Sequence, residues 1–287
     1  MHEAGKITGA LWGAGVSPAA VYELNRKIAA RIEAWRHRPI RGGHPYVFLS
    51  GVELRRKWGG EARTISVLVA VGVNAQGFRE VLGVAEGTME EPASWRGFLR
   101  SLKQRGLTGV ELFVGDGRAG LAESVAALFP GVAYQRCVLR FYRSVLSLVP
   151  LVQLPAMEEM LKAIHASSDS AAARAKVIQV VLRLRRMKLQ DIATLVARDV
   201  EQTFGYYAFP PEHRRHLRSN YVLDRIVREI RVRARAVGAF SDGPSAVLLV
   251  SARLRFIAAT RWAGRYRLDM SRLHGLLDAD ARAGVAC

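Results

Sequence analysis

The sequence predicts an α/β fold in which a sheet-forming half precedes an all-helical half. Between residues 46 and 137, short segments rich in Val, Ile and Phe with a two-residue period predict β-strands. Helical patterns lie between the later strands, which is typical of a mixed sheet with helices on its faces. After about residue 138 no strand pattern recurs, and helical patterns run to about 204 and again from about 219 to 262.

The first three predicted strands follow one another without an intervening helix. Their sequences are YVFLSGVELRRK from Tyr46, RTISVLVAVGV from Arg63 and FREVLGVAEG from Phe78. The tetrapeptide NAQG supplies a turn between the second and third strands. The second strand is apolar almost throughout, as expected of a strand that is covered on both faces.

Two helices and two further strands complete the predicted sheet. Trp95, Phe98, Leu99 and Leu102 recur at helical spacing, which predicts an amphipathic helix that stops at the next glycine. VELFVGD then predicts a fourth strand, RAGLAESVAALF a second helix and VAYQRC a fifth strand. Residues 1–45 also have a helical pattern, which ends at the Pro and Gly residues of AWRHRPIRGGHP.

The charge of the chain favours a polyanionic partner. Lys and Arg number 43 against 25 Asp and Glu, which gives a net charge of +18. Each phosphate that such a surface neutralises releases condensed counterions, so binding to nucleic acid is favoured. The arginines are densest in residues 213–235. We therefore expect a nucleic acid partner; the alternative is a basic protein without such a ligand.

Composition excludes several classes of protein. Two cysteines, Cys137 and Cys287, cannot build a disulfide framework or a cysteine-rich zinc site. No apolar run approaches the ~20 residues of a membrane helix. The start of the chain lacks the basic and apolar pattern of a secretory leader. We therefore expect a cytoplasmic protein without a membrane partner.

Several long segments resemble one family of proteins. EAWRHRPI, YVFLSGVELR, ISVLVAVGVNAQGFREVLGV, WRGFLRSLKQRGLTGVELFVGDGRAGL and FPGVAYQRC are similar to the catalytic core of mutator-type transposases of bacterial insertion sequences. LRSNYVLDRIVREIRVRARAVGAF and WAGRYRLDM resemble C-terminal segments of that family. The resemblance covers about residues 12–273 in collinear order.

The resemblance implies a fold, a chemistry and partners. The implied fold is a ribonuclease H-like mixed sheet with an all-α insertion and C-terminal helices. The implied site is an Asp-Asp-Glu triad with two divalent ions, Mg²⁺ or Mn²⁺, that act in phosphodiester hydrolysis and strand transfer. The implied partners are double-stranded DNA, namely element terminal inverted repeats and target DNA, and further copies of the chain in a homo-oligomer. The implied location is the cytoplasm, in association with the nucleoid.

The resemblance also implies an organisation into four parts. GVSPAAVYELNRKI looks like the end of a helix-turn-helix region whose first part is missing, so the chain is expected to be truncated at its N-terminus. The predicted parts are 1–45, a helical remnant of the DNA-binding region; 46–137, the first part of the catalytic core; 138–217, the all-helical insertion; and 218–287, the C-terminal helices that complete the core.

Matched residue by residue, the resemblance gives an altered triad. Ser50 in YVFLSG stands where the family has its first aspartate, and a neutral hydroxyl is a poor ligand for Mg²⁺. Asp116 in VGDGRAGL matches the second aspartate. Asp224 in SNYVLDR stands at the glutamate position with one methylene less. We expect these catalytic positions to converge, Asp116 and Asp224 to bind the metal, and cleavage to be impaired.

Each site residue also has a structural interpretation. Ser50 can be an ordinary strand serine, and Glu53 would replace the missing charge only if a bulge turned it to the same face. Asp116 can cap the helix that follows it. Asp224 can form a solvated i,i+4 pair with Arg228 that contributes only ~0.3–0.5 kcal/mol.

Arginines around the third acid are the candidate DNA-binding residues, because guanidinium groups bind phosphate oxygens well. The candidates are Arg214, Arg215, Arg218, Arg225, Arg228, Arg231 and Arg235. The predicted function is therefore that of an insertion-sequence transposase with impaired cleavage. The alternative is a non-catalytic DNA-binding remnant that represses an intact transposase.

Five further residues receive structural interpretations. Cys137 belongs to the family's Cys-x-x-His signature, in which Arg140 replaces the histidine. A lone cysteine of this kind is most often a small buried residue. His213 and His216 lie among arginines without partner ligands, so we expect both at the surface. Trp262 is expected in the core.

Overall fold

A five-stranded mixed sheet forms the centre of the molecule. The structure, a computed structural model, describes residues 17–58, 61–88, 91–118, 120–237, 243–264 and 268–277. The strands are β1 (Tyr46–Trp58), β2 (Glu61–Val73), β3 (Arg79–Glu86), β4 (Leu112–Gly115) and β5 (Ala133–Arg136). Their spatial order is β3-β2-β1-β4-β5. The first three strands pair antiparallel, whereas β4 and β5 run parallel to β1, so the predicted mixed α/β sheet is confirmed.

Helices make up most of the remaining described chain. They are α1 (Pro18–Arg36), α2 (Pro92–Gln104), α3 (Leu121–Leu128), α4 (Val138–Leu146), α5 (Leu154–His165), α6 (Ser170–Arg186), α7 (Gln190–Asp199), α8 (Pro211–Leu217), α9 (Tyr221–Val237), α10 (Gly243–Ala258) and α11 (Arg261–Gly264). As predicted, the described residues after β5 contain no strand. The helical prediction for residues 1–16 lies outside the described residues.

Alternation along β1 divides the core into two layers. Val47 and Leu49 point to one face, where α2 and α3 cover them. Tyr46, Phe48 and Val52 point to the other face, which is covered by residues from the helices after β5. Helix α9 packs on β1, and α10 packs on β3, β2 and α1. The sheet is therefore apolar on both faces. Buried polar side chains lie where the parallel strands β1 and β4 end, as described below.

His213 lies in the core, so its predicted surface position is wrong. Its Nδ1 is 2.8 Å from the Tyr46 hydroxyl, and its Nε2 is 3.0 Å from the backbone oxygen of Asp269. Helix α8 is amphipathic, and its buried face carries His213 and Leu217 four residues apart. Because both ring nitrogens have partners, burial of the imidazole leaves no polar atom unsatisfied. Burial also lowers the pKa of His213. His216 is half-buried.

Among the described residues, no helix is both long enough and apolar enough to cross a lipid bilayer.

Candidate active site

Ser50 and Asp116 meet at the carboxyl edge of the parallel strands. Phe48 of β1 pairs with Val114 of β4, and the two candidate residues lie two positions further along, on the same face. The Ser50 hydroxyl donates a hydrogen bond of 3.2 Å to Oδ2 of Asp116, and both side chains are buried. The parallel register therefore unites two residues that are distant in the sequence.

Glu53 does not replace the missing carboxylate. The pairing of β1 with β2 continues without a register shift from Tyr46 to Trp58, so no bulge turns Glu53 toward Asp116. Its carboxylate lies 3.5 Å from the guanidinium of Arg118 instead. Neither Ser50 nor Glu53 therefore places a carboxylate against Asp116.

Asp116 is buried in surroundings that disfavour its charged form. Burial raises the pKa of its carboxyl group, while the charge of Arg140 and hydrogen bonds from its own amide, the Gly51 amide and Ser50 oppose that rise. Its Oδ1 has no hydrogen-bond partner among the described residues. Helix α3 begins at Leu121 with Gly120 at the N-cap, so the interpretation of Asp116 as a helix cap is wrong.

A glycine turn directs the chain away from Asp116. Gly117 has φ +72°, in the left-handed region that favours glycine. A Cβ at this position would lie 2.4 Å from Nε of Arg136. The turn therefore requires glycine both for its conformation and for the close approach of the arginine.

Asp224 is positioned by the start of α9. Asn220, the residue before the helix, donates through its side-chain nitrogen to the Leu49 backbone oxygen at 2.8 Å. Its backbone amide donates to the Cys137 sulfur at 3.3 Å. These two bonds fix the first turn of α9, which carries Asp224, against β1 and the start of α4. Sequence reasoning missed Asn220, although a polar residue just before a helix is the available signal.

The positive charge of Arg140 acts on both acids. Its Nη2 lies 4.0 Å from Oδ1 of Asp224, and about one fifth of each side chain is exposed, 21% and 23%. Its charge also lowers the pKa of Asp116 against the effect of burial. The structure thus places Ser50 and Asp116 in contact and Asp224 against Arg140. Convergence of Asp116 and Asp224 on one ion stays a prediction.

Cys137 and Trp262 behave as structural residues. Cys137 is buried, as predicted, and burial raises the pKa of its thiol. Trp262 is half-buried against the larger core layer, and the guanidinium of Arg79 lies 4.4 Å from the centre of its ring. Within the described residues, neither belongs to a group of three or more potential metal ligands.

An arginine-lined cleft lies between α4 and α9. It has a volume of about 240 Å³, and its charged lining consists of Arg140, Arg143, Arg228, Arg231 and Asp224. The first two arginines come from α4, whose opposite face is buried in the core. The other two come from α9 and are among the predicted DNA-binding arginines. Guanidinium groups at this density suit a phosphate-bearing ligand.

The remaining predicted arginines have different surroundings. Arg214 donates to three backbone oxygens, those of Phe209, Tyr207 and Ser168, at 2.9–3.1 Å. Arg215, Arg218 and Arg225 are exposed, and the side chain of Arg235 lies outside the described residues. Contact of any of these arginines with DNA stays a prediction.

The donor set does not fit a pair of divalent ions. It offers one buried carboxylate, one neutral hydroxyl and a second carboxylate that faces a guanidinium. A guanidinium has no lone pair to give and repels a cation, whereas two Mg²⁺ ions need several anionic oxygens. Within the described parts of the chain, no group of three His, Cys, Asp or Glu residues could hold a metal ion.

Fold and site place polar residues at the carboxyl edge of the parallel strands, next to an arginine-lined cleft that suits a phosphate-bearing ligand. The chain belongs to the Mutator family of transposases, because the sequence profile of that family matches residues 2–262.

Curated relatives agree with this membership. The chain is similar to the transposase for insertion sequence element IS1081 of Mycobacterium tuberculosis, with 33% identity over 83% of this chain and 58% of the relative. It is also similar to the transposase for IS406 of Burkholderia multivorans, with 33% identity over 89% and 66% of the two chains. The transposase for IS256 in transposon Tn4001 of Staphylococcus aureus is 27% identical over 87% and 64%. The chain thus spans about three fifths of the length of these relatives.

Proposed function

We propose that this chain is an insertion-sequence transposase by descent, that it binds DNA, and that its strand cleavage is impaired. The observation that carries the proposal is the hydrogen bond from Ser50 to Asp116, because a neutral hydroxyl occupies the position where the family pattern has its first aspartate. Family membership suggests a divalent metal in general. The donor set described above does not fit the two ions, Mg²⁺ or Mn²⁺, that the sequence resemblance implies.

Charge supports DNA as the partner. The net charge of +18 is large for 287 residues, and the cleft between α4 and α9 concentrates four arginines around one acid. The cleft adjoins the candidate site through Arg140, so a bound backbone would lead toward Asp116. Terminal repeats, target DNA and a second copy of the chain are the partners that the proposal includes.

We also propose that the sheet is a ribonuclease H-like core with residues 138–217 inserted into it. Support comes from the strand order β3-β2-β1-β4-β5, in which three antiparallel strands are followed by two parallel ones. Helices α4 to α7 pack on one another, whereas α9 and α10 return to the sheet. On this basis residues 218–287 complete the core that residues 46–137 begin.

Cleavage is tested by nicking of a supercoiled plasmid in Mg²⁺ and in Mn²⁺. The natural chain is compared with Asp116→Ala, and a purified relative with all three acids serves as the positive control. We expect no nicking above the Asp116→Ala level. Metal-dependent nicking that disappears in Asp116→Ala would show that Ser50 suffices at the first position.

DNA binding is tested separately by gel shift on a duplex that carries the ends of a Mutator-family element. A scrambled duplex of equal length is the control. We expect binding to both duplexes that weakens steeply with salt, because phosphate contacts release counterions. The absence of any shift at low salt would contradict the proposal.

A second candidate function is repression of an intact transposase. The observation that favours it is the combination of a lost acid at Ser50 with an arginine-lined cleft, which separates binding from cleavage. Adding this chain to an active relative should lower the relative's nicking rate in proportion to occupancy of the DNA ends. An unchanged nicking rate of the relative at a saturating concentration of this chain would contradict repression.

A further inference from the structure

We infer that Arg140 takes the place of a divalent cation in this site: its guanidinium compensates the carboxylates of Asp116 and Asp224, so the chain supplies the cation itself. The inference rests on the proposed function only in taking these residues as the acid positions. It goes beyond that function because it assigns a cause, other than Ser50, for weak metal binding.

Arg140 is held in place from two sides. It lies in the first turn of α4, just after Cys137, whose backbone amide donates to the Gly115 oxygen at 2.7 Å. The next amide, that of Val138, donates to the Arg218 oxygen at 2.9 Å. The first bond ties α4 to the end of β4 beside Asp116, and the second ties it to the segment that leads into α9. The backbone that carries Arg140 is therefore fixed between the end of β4, which leads into Asp116, and the segment that leads into α9, which carries Asp224.

The chemistry of a guanidinium explains the expected effect. It keeps its positive charge at any physiological pH, and its five N–H groups donate only. It can therefore satisfy two carboxylates, but it cannot ligate a metal. With Ser50 neutral, two carboxylates and one guanidinium leave at most a single negative charge for an incoming dication. The repulsion between the guanidinium and the dication is only weakly screened in a partly buried site.

Removal of the charge should create metal affinity. In Arg140→Gln the side chain keeps polar donors but loses its charge, so we expect affinity for Mn²⁺ to rise by about tenfold or more. Arg140→Lys keeps the charge and should show no gain. Arg143 lines the same cleft one turn further along α4. Arg143→Gln is the matched control and should change the affinity by less than about threefold, because its charge is exposed to water.

The measurement is a titration of the full chain with Mn²⁺, in which the electron paramagnetic resonance signal reports the free ion. No DNA is present, so a failure of DNA binding would leave this test intact. Mn²⁺ binding is assigned to this site only if it disappears when the substitution Asp116→Asn is introduced into the same chain. Equal Mn²⁺ affinity of the natural chain and Arg140→Gln, both sensitive to Asp116→Asn, would overturn the inference.

Thermal unfolding keeps the inference testable if Arg140→Gln folds poorly. Without its counter-charge the variant should have a lower Tm, and Mn²⁺ should restore that Tm by binding the folded state. The natural chain should show no Asp116-dependent rise in Tm with Mn²⁺. A loss of stability in Arg140→Gln that Mn²⁺ does not reverse would overturn the inference.

Discussion

Ser50 illustrates how one neutral side chain changes the state of its neighbour. Its hydroxyl donates to Asp116 inside the protein, where burial already raises the pKa of the carboxyl group. The Ser50 hydroxyl therefore stabilises the carboxylate form of Asp116 without adding a charge. The same position with a carboxylate would place two like charges side by side, which is favourable only with cations between them.

Removal of the Ser50 hydroxyl should weaken the fold. We expect Ser50→Ala to lower the free energy of unfolding by about 1–2 kcal/mol, because a buried acceptor loses its donor. The measurement is urea unfolding at neutral pH followed by circular dichroism. Ser147→Ala, in an exposed serine at the end of α4, is the control and should change stability by less than about 0.5 kcal/mol. Equal effects of the two changes would contradict the assigned hydrogen bond.

The sequence predicts some of the residue contacts and misses others. Strand alternation and the resemblance are enough to place Ser50 and Asp116 on one edge. They do not predict the burial of His213, because basic neighbours in the sequence say little about a short helix whose partners, Tyr46 and Asp269, are far away. Nor do they predict the three backbone oxygens that accept from the guanidinium of Arg214, whose contact with DNA stays a prediction. Local sequence patterns do not predict contacts between residues that lie so far apart in the chain.

At the scale of elements, α9 joins the fold to the candidate DNA surface. Leu223, Ile226 and Ile230 are buried on one face, as their spacing predicts, while Arg228 and Arg231 line the cleft on another. An amphipathic helix of this kind carries both the core contact and the charge pattern. The periodicity of the sequence therefore predicts the helix well, but it cannot predict that α4 forms the other wall of the arginine-lined cleft.

Removal of the two arginines on α9 should reduce the salt dependence of DNA binding. We expect Arg228→Ala combined with Arg231→Ala to flatten the slope of log K against log salt by roughly two units, since each phosphate contact contributes about 0.9. The measurement is fluorescence anisotropy with duplex DNA over a series of salt concentrations. Arg185→Ala with Arg186→Ala removes the same charge from exposed positions on α6 and should leave the slope nearly unchanged. Equal flattening by both pairs would place the binding surface elsewhere.

His165 on α5 should set part of the acid sensitivity of the helical region. Burial lowers the pKa of His165 from 6.5 to about 4, while its hydrogen bond to Leu161 opposes that change. Below pH 6.5 the unfolded chain takes up a proton that the folded chain refuses until about pH 4. Stability contributed by neutral His165 is therefore present above pH 6.5 and is lost as the pH falls, by about 3 kcal/mol in total.

The test is the free energy of unfolding measured from pH 7 to pH 4.5. We expect His165→Gln to be less stable at pH 7, because the contacts with Tyr142 and Thr203 change, and to have a flatter acid limb. His37→Gln, at an exposed position after α1, is the control and should keep the natural slope. If stability falls as steeply between pH 6.5 and pH 4.5 in His165→Gln as in the natural chain, His165 is not the cause of the acid sensitivity.

At the scale of the whole molecule, one buried ion pair fastens the sheet to the helical region. Nη1 of Arg136 on β5 lies 2.8 Å from Oδ2 of Asp199 at the end of α7, with only 10% and 12% of the side chains exposed. Arg198 also binds Asp199, and the two arginines lower the pKa of its carboxyl group, with Arg198 the larger cause. A pair of this kind is costly to break, because one charge is left buried without a partner.

Asp199→Ala should therefore destabilise the chain by about 3 kcal/mol or more. Combining it with Arg136→Met should recover part of that loss, since no uncompensated charge remains. The measurement is urea unfolding of both variants at one pH. Asp191→Ala removes an exposed acid from the start of the same helix and should cost less than about 1 kcal/mol. A double variant less stable than the sum of its parts would contradict this account.

The hydrogen bonds of His213 have a consequence for the way the chain is made. Tyr46 opens the central strand, yet its hydroxyl finds its partner 167 residues later, and that partner in turn binds the backbone of Asp269. A ribosome therefore releases β1 long before it releases the helices that cover Tyr46, Phe48 and Val52. Until then the apolar face of β1 lacks these helices, and exposed apolar surface of this kind is prone to aggregation. We therefore expect the yield of folded protein to depend on the rate of synthesis and on the supply of chaperones.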